Sequence, residues 1–506
     1  MTKYDLNIYS VNTTVPDRPT RSEAHVQLRS TAQSLENLLW WFPSLVPLFT
    51  IALSFYIQEW YWGLMDDAGL LSGMPGIMVR FKEIFRGFLA FGEFKPTFAL
   101  HQAIFYSLFR YSPVSMHILK LVELCLVVVV WGAALQGISG KRSAAPIFAA
   151  TTLSFHYLYD TFFFLSTHEF LGMLFCGLAL NCFLKGVDAR SQFKFIALSA
   201  SGILLMAIGF GAKEPLVAVG VAFGIGFLIL GWVEEKIRSR AVGVGAVTVF
   251  GTVVYALALK RFAQGAYTSS YSFTNFSRMV GNITAWFIKD FANHVPWLVL
   301  VLIVVFSSSS PGWRRQIFSG FNLRQKWGIF TGLLLYGGYL MILLPWSTTS
   351  YYAGPLGVFF AFPASIFVAQ VLPQTSTFMQ VLVPIGSLIL NMFVSQWALT
   401  RESLYHYDTQ NLMAWVRGNS SFQSAAREKL VYCNGMEAAG AIPGHLARDF
   451  SLQLPPFMYG GIQSDPTLSK AVYVWSPRFG GAESDFPRGT WDTMFYSKFW
   501  QVYVRK

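Results

Sequence analysis

Between residues 60 and 69 the chain reads Trp60-Tyr61-Trp62-Gly63-Leu64-Met65-Asp66-Asp67-Ala68-Gly69, so two adjacent carboxylates follow the first long apolar run. Acids at the mouth of a membrane helix are costly unless water, a ligand or chemistry uses them. Asp66 and Asp67 are therefore the first candidates for a catalytic acid pair; the plainer use of two such acids is to cap and solvate a loop. Lys95 precedes Pro96, and Lys213 precedes Glu214-Pro215, turns that limit how far each ammonium can move. A fixed cation of this kind stabilises developing negative charge, and it is equally a routine headgroup anchor. Glu214 stands beside Lys213 and can neutralise it. Asp160, His168 and Glu169 bracket one short loop containing Phe162, Phe163 and Phe164. A histidine with carboxylates suits Zn²⁺ or Mn²⁺, so a divalent metal is the one cofactor these residues leave open. The same three groups would also position hydroxyls or close a plain hydrogen-bonded loop. Lys120 and Glu123 stand at i,i+3 on one apolar run, spaced to pair on one helix face.

The elements that must position these groups are membrane helices. The chain has 506 residues, 54% hydrophobic and 13% charged, with 47 Phe, 22 Tyr and 16 Trp. A soluble domain carries about 25% charged residues. The net charge of +12 sits in short clusters between apolar runs, as in the loops of a polytopic membrane protein, which argues against a nucleic-acid partner. Four cysteines, three of them in apolar runs, form neither a disulfide framework nor a zinc spacing.

A bilayer core of about 30 Å takes roughly 20 apolar residues as a helix. Eleven spans are predicted, at 39–57, 114–136, 144–159, 169–185, 195–211, 215–233, 241–259, 295–309, 327–345, 355–372 and 377–396. Residues 1–38 are polar and read as a cytoplasmic tail, with the first span as an uncleaved anchor. On that orientation the short inner loops carry twelve basic residues, among them Lys141, Arg142, Lys185, Arg190 and Lys194, and the short outer loops carry only Lys213. The bias fits the positive-inside rule. An odd span count then puts the region from Trp397 to Lys506 outside.

The predicted domains are the tail 1–38, a transmembrane domain 39–396 and an extracytoplasmic domain 397–506. Within the first outer loop, 58–113, Ile77 to Arg86 alternates apolar and basic groups at helical spacing, the pattern of a helix lying in the interface. Phe98 to Tyr111 and Phe273 to Phe291 read similarly. In the last region span-length apolar runs stop, while short aromatic runs such as Lys470 to Trp475 read as strands between turn signals. A small α/β domain follows from that pattern.

Several of these segments resemble the GT-C superfamily of glycosyltransferases, in the branch of protein O-mannosyltransferases and the lipid A aminoarabinose transferase. Asp66-Asp67-Ala68 is similar to that family's Asp-Glu pair after the first span, with Asp in place of Glu. Lys95-Pro96-Thr97-Phe98, running on to Tyr111-Ser112-Pro113, resembles its Lys-Pro-Pro segment and the amphipathic helix behind it. Ala212-Lys213-Glu214-Pro215 resembles its Thr-Lys-Gly-Pro turn. Ser350-Tyr351-Tyr352-Ala353-Gly354-Pro355 is similar to its late Arg-Tyr-Pro loop, although no Arg precedes the tyrosines here. The likeness covers about residues 39 to 372.

The resemblance implies a GT-C fold in a bacterial inner membrane and sugar transfer, with inversion, from a polyprenyl-phosphate donor on the outer side. Such transfer needs a base to take the acceptor hydroxyl's proton, a role worth about 10²–10⁴-fold; Asp66 is the candidate, with Asp67 beside it. Lys95 and Lys213 would then hold the lipid phosphate. Asp160, His168, Glu169, Glu214, Tyr351 and Tyr352 would contact sugar or acceptor. The acceptor class implied is a cell-envelope glycan such as O-antigen, with lipid A or protein also open, and size and external tail also look like the serotype-converting glucosyltransferases. Membrane lipid is the remaining partner. A transporter or lipid-linked-sugar flippase would instead place charges near mid-membrane around broken helices. A polysaccharide polymerase or ligase would share the many spans and the basic outer loops.

Overall fold

The computed structural model describes residues 21–58, 60, 76–91, 93–109, 112–163, 165, 167–262, 280–282, 284, 320–344, 350–428, 430–434, 472–475 and 491–505. Fourteen α-helices in these residues are labelled in chain order. They are α1 Arg21–Ile57, α2 Ile77–Phe91, α3 Pro96–Phe109, α4 Pro113–Ser139, α5 Ala144–Leu153, α6 His156–Phe163 and α7 Glu169–Val187. There follow α8 Gln192–Ala212, α9 Val217–Val233, α10 Arg238–Phe262, α11 Leu323–Leu343, α12 Gly354–Val371, α13 Thr377–Gly418 and α14 Ser420–Arg427. Among the described residues nine helices are long and apolar enough to cross a membrane, and the protein is a polytopic α-helical membrane protein. The expected span at 295–309 lies outside the described residues.

The stretch read as one span, 144–159, is two short helices. Thr151 Oγ1 and Ser154 Oγ bond back to the carbonyls of Ile147 and Thr151, local competition that ends a helix. The Tyr159 hydroxyl then donates to the freed Leu153 carbonyl at 3.1 Å. At ten residues α5 is about 15 Å long and cannot cross a bilayer by itself. The two helices in succession run alongside α4 from Ala145, near Gly132, to Thr161, near Lys120, with α5 packed against α12, α4 and α1.

Neighbouring helices meet because their ends are specified locally. Pro113 opens α4, with Ser112 as its N-cap and a left-handed Gly140 closing it, the arrangement expected of Pro at N1 and Gly at the C-terminal stop. Pro47 inside α1 has no N–H, so the Pro43 carbonyl lacks its helical donor. Asn391 of α13 supplies one at 2.9 Å and reaches the Ala150 carbonyl at 3.0 Å. In hydrocarbon an unmet carbonyl costs several kcal/mol, so this one amide ties α1, α5 and α13 together.

Helix α13 spans 42 residues, about 63 Å at helical rise, roughly twice the hydrocarbon core. It runs unbroken through residue 396, where the composition shift had suggested a domain edge. Its second half carries the small sheet, whose strands β1 Val431–Asn434, β2 Val472–Trp475, β3 Trp491–Tyr496 and β4 Gln501–Arg505 take the order β1-β2-β4-β3. The first pair is parallel and the other two antiparallel. Asp408 accepts from Ser497 Oγ at 2.6 Å and from the Phe499 N–H at 2.7 Å, while Trp500 donates to Thr409. The strand β2 falls on the aromatic run that predicted it.

Candidate functional site

Most of the site follows from how closely α7 and α8 approach. A Cβ on Gly172 would stand 2.2 Å from the Leu216 side chain and 3.1 Å from the Gly209 carbonyl, and one on Gly209 3.0 Å from the Gly172 carbonyl. Only glycine admits that crossing. Glu169 lies one turn before Gly172 and Lys213 one turn after Gly209, so the crossing brings their charges together. Lys213 Nζ stands 2.8 Å from Glu169 Oε1, with Glu169 wholly buried. The approach lies outside hydrogen-bonding geometry, and among the described residues neither Glu169 oxygen accepts a hydrogen bond. The Lys213 ammonium also sits 4.1 Å from the centre of the Tyr352 ring, a cation–π contact. Tyr352 is held in turn by the Tyr339 hydroxyl, which donates to its carbonyl.

Lys95 arrives from the connection between α2 and α3. A Cβ on Gly211 would meet the Thr97 hydroxyl at 2.6 Å, so α3 starts directly against the end of α8. Lys95 Nζ lies 2.7 Å from Glu93 and 3.7 Å from Glu214. Glu214 also accepts from the Phe94 N–H at 2.9 Å, locking the connection to the α8–α9 turn. The sequence reading allowed Glu214 to neutralise Lys213; the ion pairs instead run Lys95 to Glu214 and Lys213 to Glu169. Burial pulls the Lys95 ammonium toward deprotonation, but Glu214 and then Glu93 more than offset it and hold its pKa above the ordinary 10.5. Both lysines are buried, unlike headgroup anchors, which extend into the interface. Together with Glu93, Glu214, Pro215, Leu343 and Tyr352 they surround a cavity of about 10 Å³, room for about one water.

A second group of buried polar side chains adjoins the first. Gln102 Nε2 lies 2.8 Å from His168 Nε2, and His168 packs on the Phe98 ring. His101 donates to Glu123 at 2.7 Å, whereas Lys120 donates to the Thr161 carbonyl at 2.9 Å and to Thr167. The expected Lys120–Glu123 pair is therefore not formed: each side chain turns from α4 toward a different neighbour, because α3 on one side and α6 with the loop after it on the other offer better-placed partners than the other side chain does. Gln102 Oε1 and His101 Nδ1 have no hydrogen-bond partner among the described residues.

Asp160, on α6, is paired with Arg401 of α13, which also holds Glu402 and lies over the Trp397 ring. Arg401 is a member of the candidate site that sequence reasoning missed. It lies beyond the last predicted span, 241 positions from its partner, and its only signal is an Arg-Glu dipeptide within a helical pattern. Trp60 opens the acidic stretch. It is buried among Phe55, His117, Phe163 and His406, and its indole donates to Ser54. Trp60 is thus packed against α6 and α13.

Asp66 and Asp67 lie outside the described residues, and Tyr351 is described only as part of the 3₁₀ turn Ser350–Ala353. Among the described residues no three of His, Cys, Asp and Glu come together as metal ligands. Asp160, His168 and Glu169, suggested as such a set, turn to Arg401, Gln102 and Lys213, so the loop splits them rather than converging them.

No protein-family model and no curated protein matches the chain. Two solved structures do. ArnT from Cupriavidus metallidurans bound to undecaprenyl phosphate superposes with a TM-score of 0.53 at 11% identity, covering 94% of this chain and 97% of that one. Its apo form gives 0.51 at 12% identity over 91% and 97%.

Proposed function

With the fold of the GT-C membrane glycosyltransferases as its frame, this chain, we propose, moves a sugar from a polyprenyl-phosphate donor onto a hydroxyl of an extracytoplasmic acceptor. The observation that carries the reading is the pair of buried lysines, Lys95 and Lys213, held at one end of the bundle by carboxylates rather than exposed to headgroups. The undecaprenyl phosphate bound by the ArnT neighbour is a ligand of matching chemistry.

In the proposed reaction the acceptor oxygen attacks the anomeric carbon, and the carbon–oxygen bond to phosphate breaks. The electron pair leaves on the phosphate and the acceptor proton passes to Asp66. Lys95 and Lys213 meet the charge growing on the leaving phosphate. Each ammonium has three N–H donors, so a phosphate can share or replace their carboxylate partners as the cavity opens. The unmet acceptors of Glu169 and Gln102 suit sugar hydroxyls, and Asp160, His168, Glu214 and the two tyrosines complete the sugar and acceptor contacts. Lys120 and Glu123, charged groups within an apolar run, are bonded separately into the same end of the bundle. That favours transfer over a flippase.

The reading further assigns the protein to a bacterial inner membrane, with this end of the bundle and the region after residue 396 outside. A cell-envelope glycan such as O-antigen is the acceptor class. The test incubates the purified protein with several polyprenyl-phosphate sugars and candidate glycan, lipid A and protein acceptors. A mass gain of one sugar on one acceptor is expected; no transfer from any lipid-linked donor would overturn the reading.

A further inference from the structure

At the opposite end of the bundle from Lys213, a groove of about 620 Å³ opens between α4, α7, α8 and α11. Helix α7 links the two regions: Glu169 at its start and Lys185 near its end are about 24 Å apart at helical rise. The groove is thus separate from the site above by most of a membrane thickness. Its wall is mostly apolar, with the small Ala133 and Gly137 of α4 beside Leu184 of α7 and Leu198 of α8, and Asn181 as its polar member. A Cβ on Gly137 would meet nothing within 4 Å, so the recess is real space along the helix rather than a seam.

The rim is basic. Lys185, Arg190 and Lys194 line it, and among the described residues none of the three is paired with a carboxylate. The nearby acid Asp188 is already taken by both terminal nitrogens of Arg324, which also reaches Glu234. Arg240 fixes the α7–α8 turn by donating to the carbonyls of Ala189 and Arg190. The turn is thus braced, its acid neutralised, and three cations remain above an apolar slot.

We propose that this groove binds one anionic glycerophospholipid, its acyl chain along Ala133 and Gly137 and its headgroup phosphate among Lys185, Arg190 and Lys194. Charge complementarity selects the occupant. A zwitterionic lipid offers the same chain without net negative charge, and basic pockets between membrane helices hold anionic headgroups. The inference rests on the membrane-spanning bundle and not on the transfer reaction.

The full chain in detergent is titrated with dioleoyl phosphatidylglycerol or dioleoyl phosphatidylcholine and read by native mass spectrometry. One phosphatidylglycerol should be retained in preference to phosphatidylcholine, and inorganic phosphate should not displace it. Lys185→Ala and Lys194→Ala should each weaken retention about fivefold. Gly137→Trp should abolish it by filling the slot while leaving thermal stability and polyprenyl-phosphate binding unchanged. Lys141→Ala with Arg142→Ala, basic residues at the same end that do not line the groove, should have no effect. Equal retention of both lipids, displacement by free phosphate, wild-type retention by Gly137→Trp, or equal loss in the Lys141/Arg142 variant would each overturn the proposal.

Discussion

Lys213 and Glu169 face each other at 2.8 Å across the point where α7 and α8 cross on two glycines, and the carboxylate is fully buried. Removing one partner of such a pair strands the other charge, which costs about 3–5 kcal/mol. Glu169→Gln should therefore lower unfolding stability by about that amount. Added polyprenyl phosphate should restore more stability to this variant than to the wild type, because a phosphate can replace the carboxylate that Lys213 has lost. Equal stabilisation of both proteins in a thermal melt would mean that Lys213 does not meet the lipid phosphate.

Asp66→Asn should lower turnover by about 10²–10⁴-fold with donor binding intact, since a general base acts on the acceptor proton and not on the donor lipid. Asp67→Asn should cost less. Normal turnover by the Asp66→Asn protein in a sugar-transfer assay rules out the assignment.

Lys95→Ala and Lys213→Ala should each weaken donor binding about ten- to a hundredfold, the loss expected for a charge-assisted contact. Arg80→Ala and Lys82→Ala, on α2, which the sequence pattern assigns to the interface, should change it far less. The carboxylates raise the Lys95 pKa above 10.5, so its charge and the stability it lends are present through neutral and mildly alkaline pH. They are lost only as pH rises through that raised value. Titration with a polyprenyl phosphodiester sugar, whose phosphate has no second proton to lose, should accordingly give a level affinity from neutral to mildly alkaline pH.

Arg401 reaches Asp160 from α13 with a side-chain exposure of 26%, so part of the loss on its removal is screened by water. Arg401→Ala should destabilise by about 1–3 kcal/mol, below the value for a fully buried pair. It should reduce turnover more than donor affinity, because Asp160 and not the phosphate loses its anchor. Arg401→Lys should restore only part of the turnover, as a point charge does not reproduce the guanidinium fork.

The twelve-to-one distribution of basic residues between short loops makes orientation testable. A reporter fused after Lys506 should read extracytoplasmic and one after Arg142 cytoplasmic. A cytoplasmic reading after Lys506 would move the Lys213 end of the bundle to the inner face and remove the basis for an extracytoplasmic acceptor.

What the sequence by itself determined is whatever depends on local composition and periodicity. Span-length apolar runs at 39–57, 114–136 and 169–185 fall within helices α1, α4 and α7, because twenty apolar residues bounded by caps have no other low-energy state in a bilayer. Lys95 and Lys213 were legible as a pair of restrained cations, since Pro96 and Pro215 punctuate the chain beside them. Tertiary structure alone decided the rest. The break at Ser154 turns on side-chain competition for carbonyls, which hydropathy does not register. The partners of Lys95, Lys213, Lys120 and Asp160 come from elements up to 241 positions away, brought together by a glycine crossing and by the length of α13. A charge pair chosen by spacing along one helix, as for Lys120 and Glu123, yields when neighbouring elements present acceptors and donors at better distance and angle, because most buried polar groups take a partner and the packing of helices decides which one they meet.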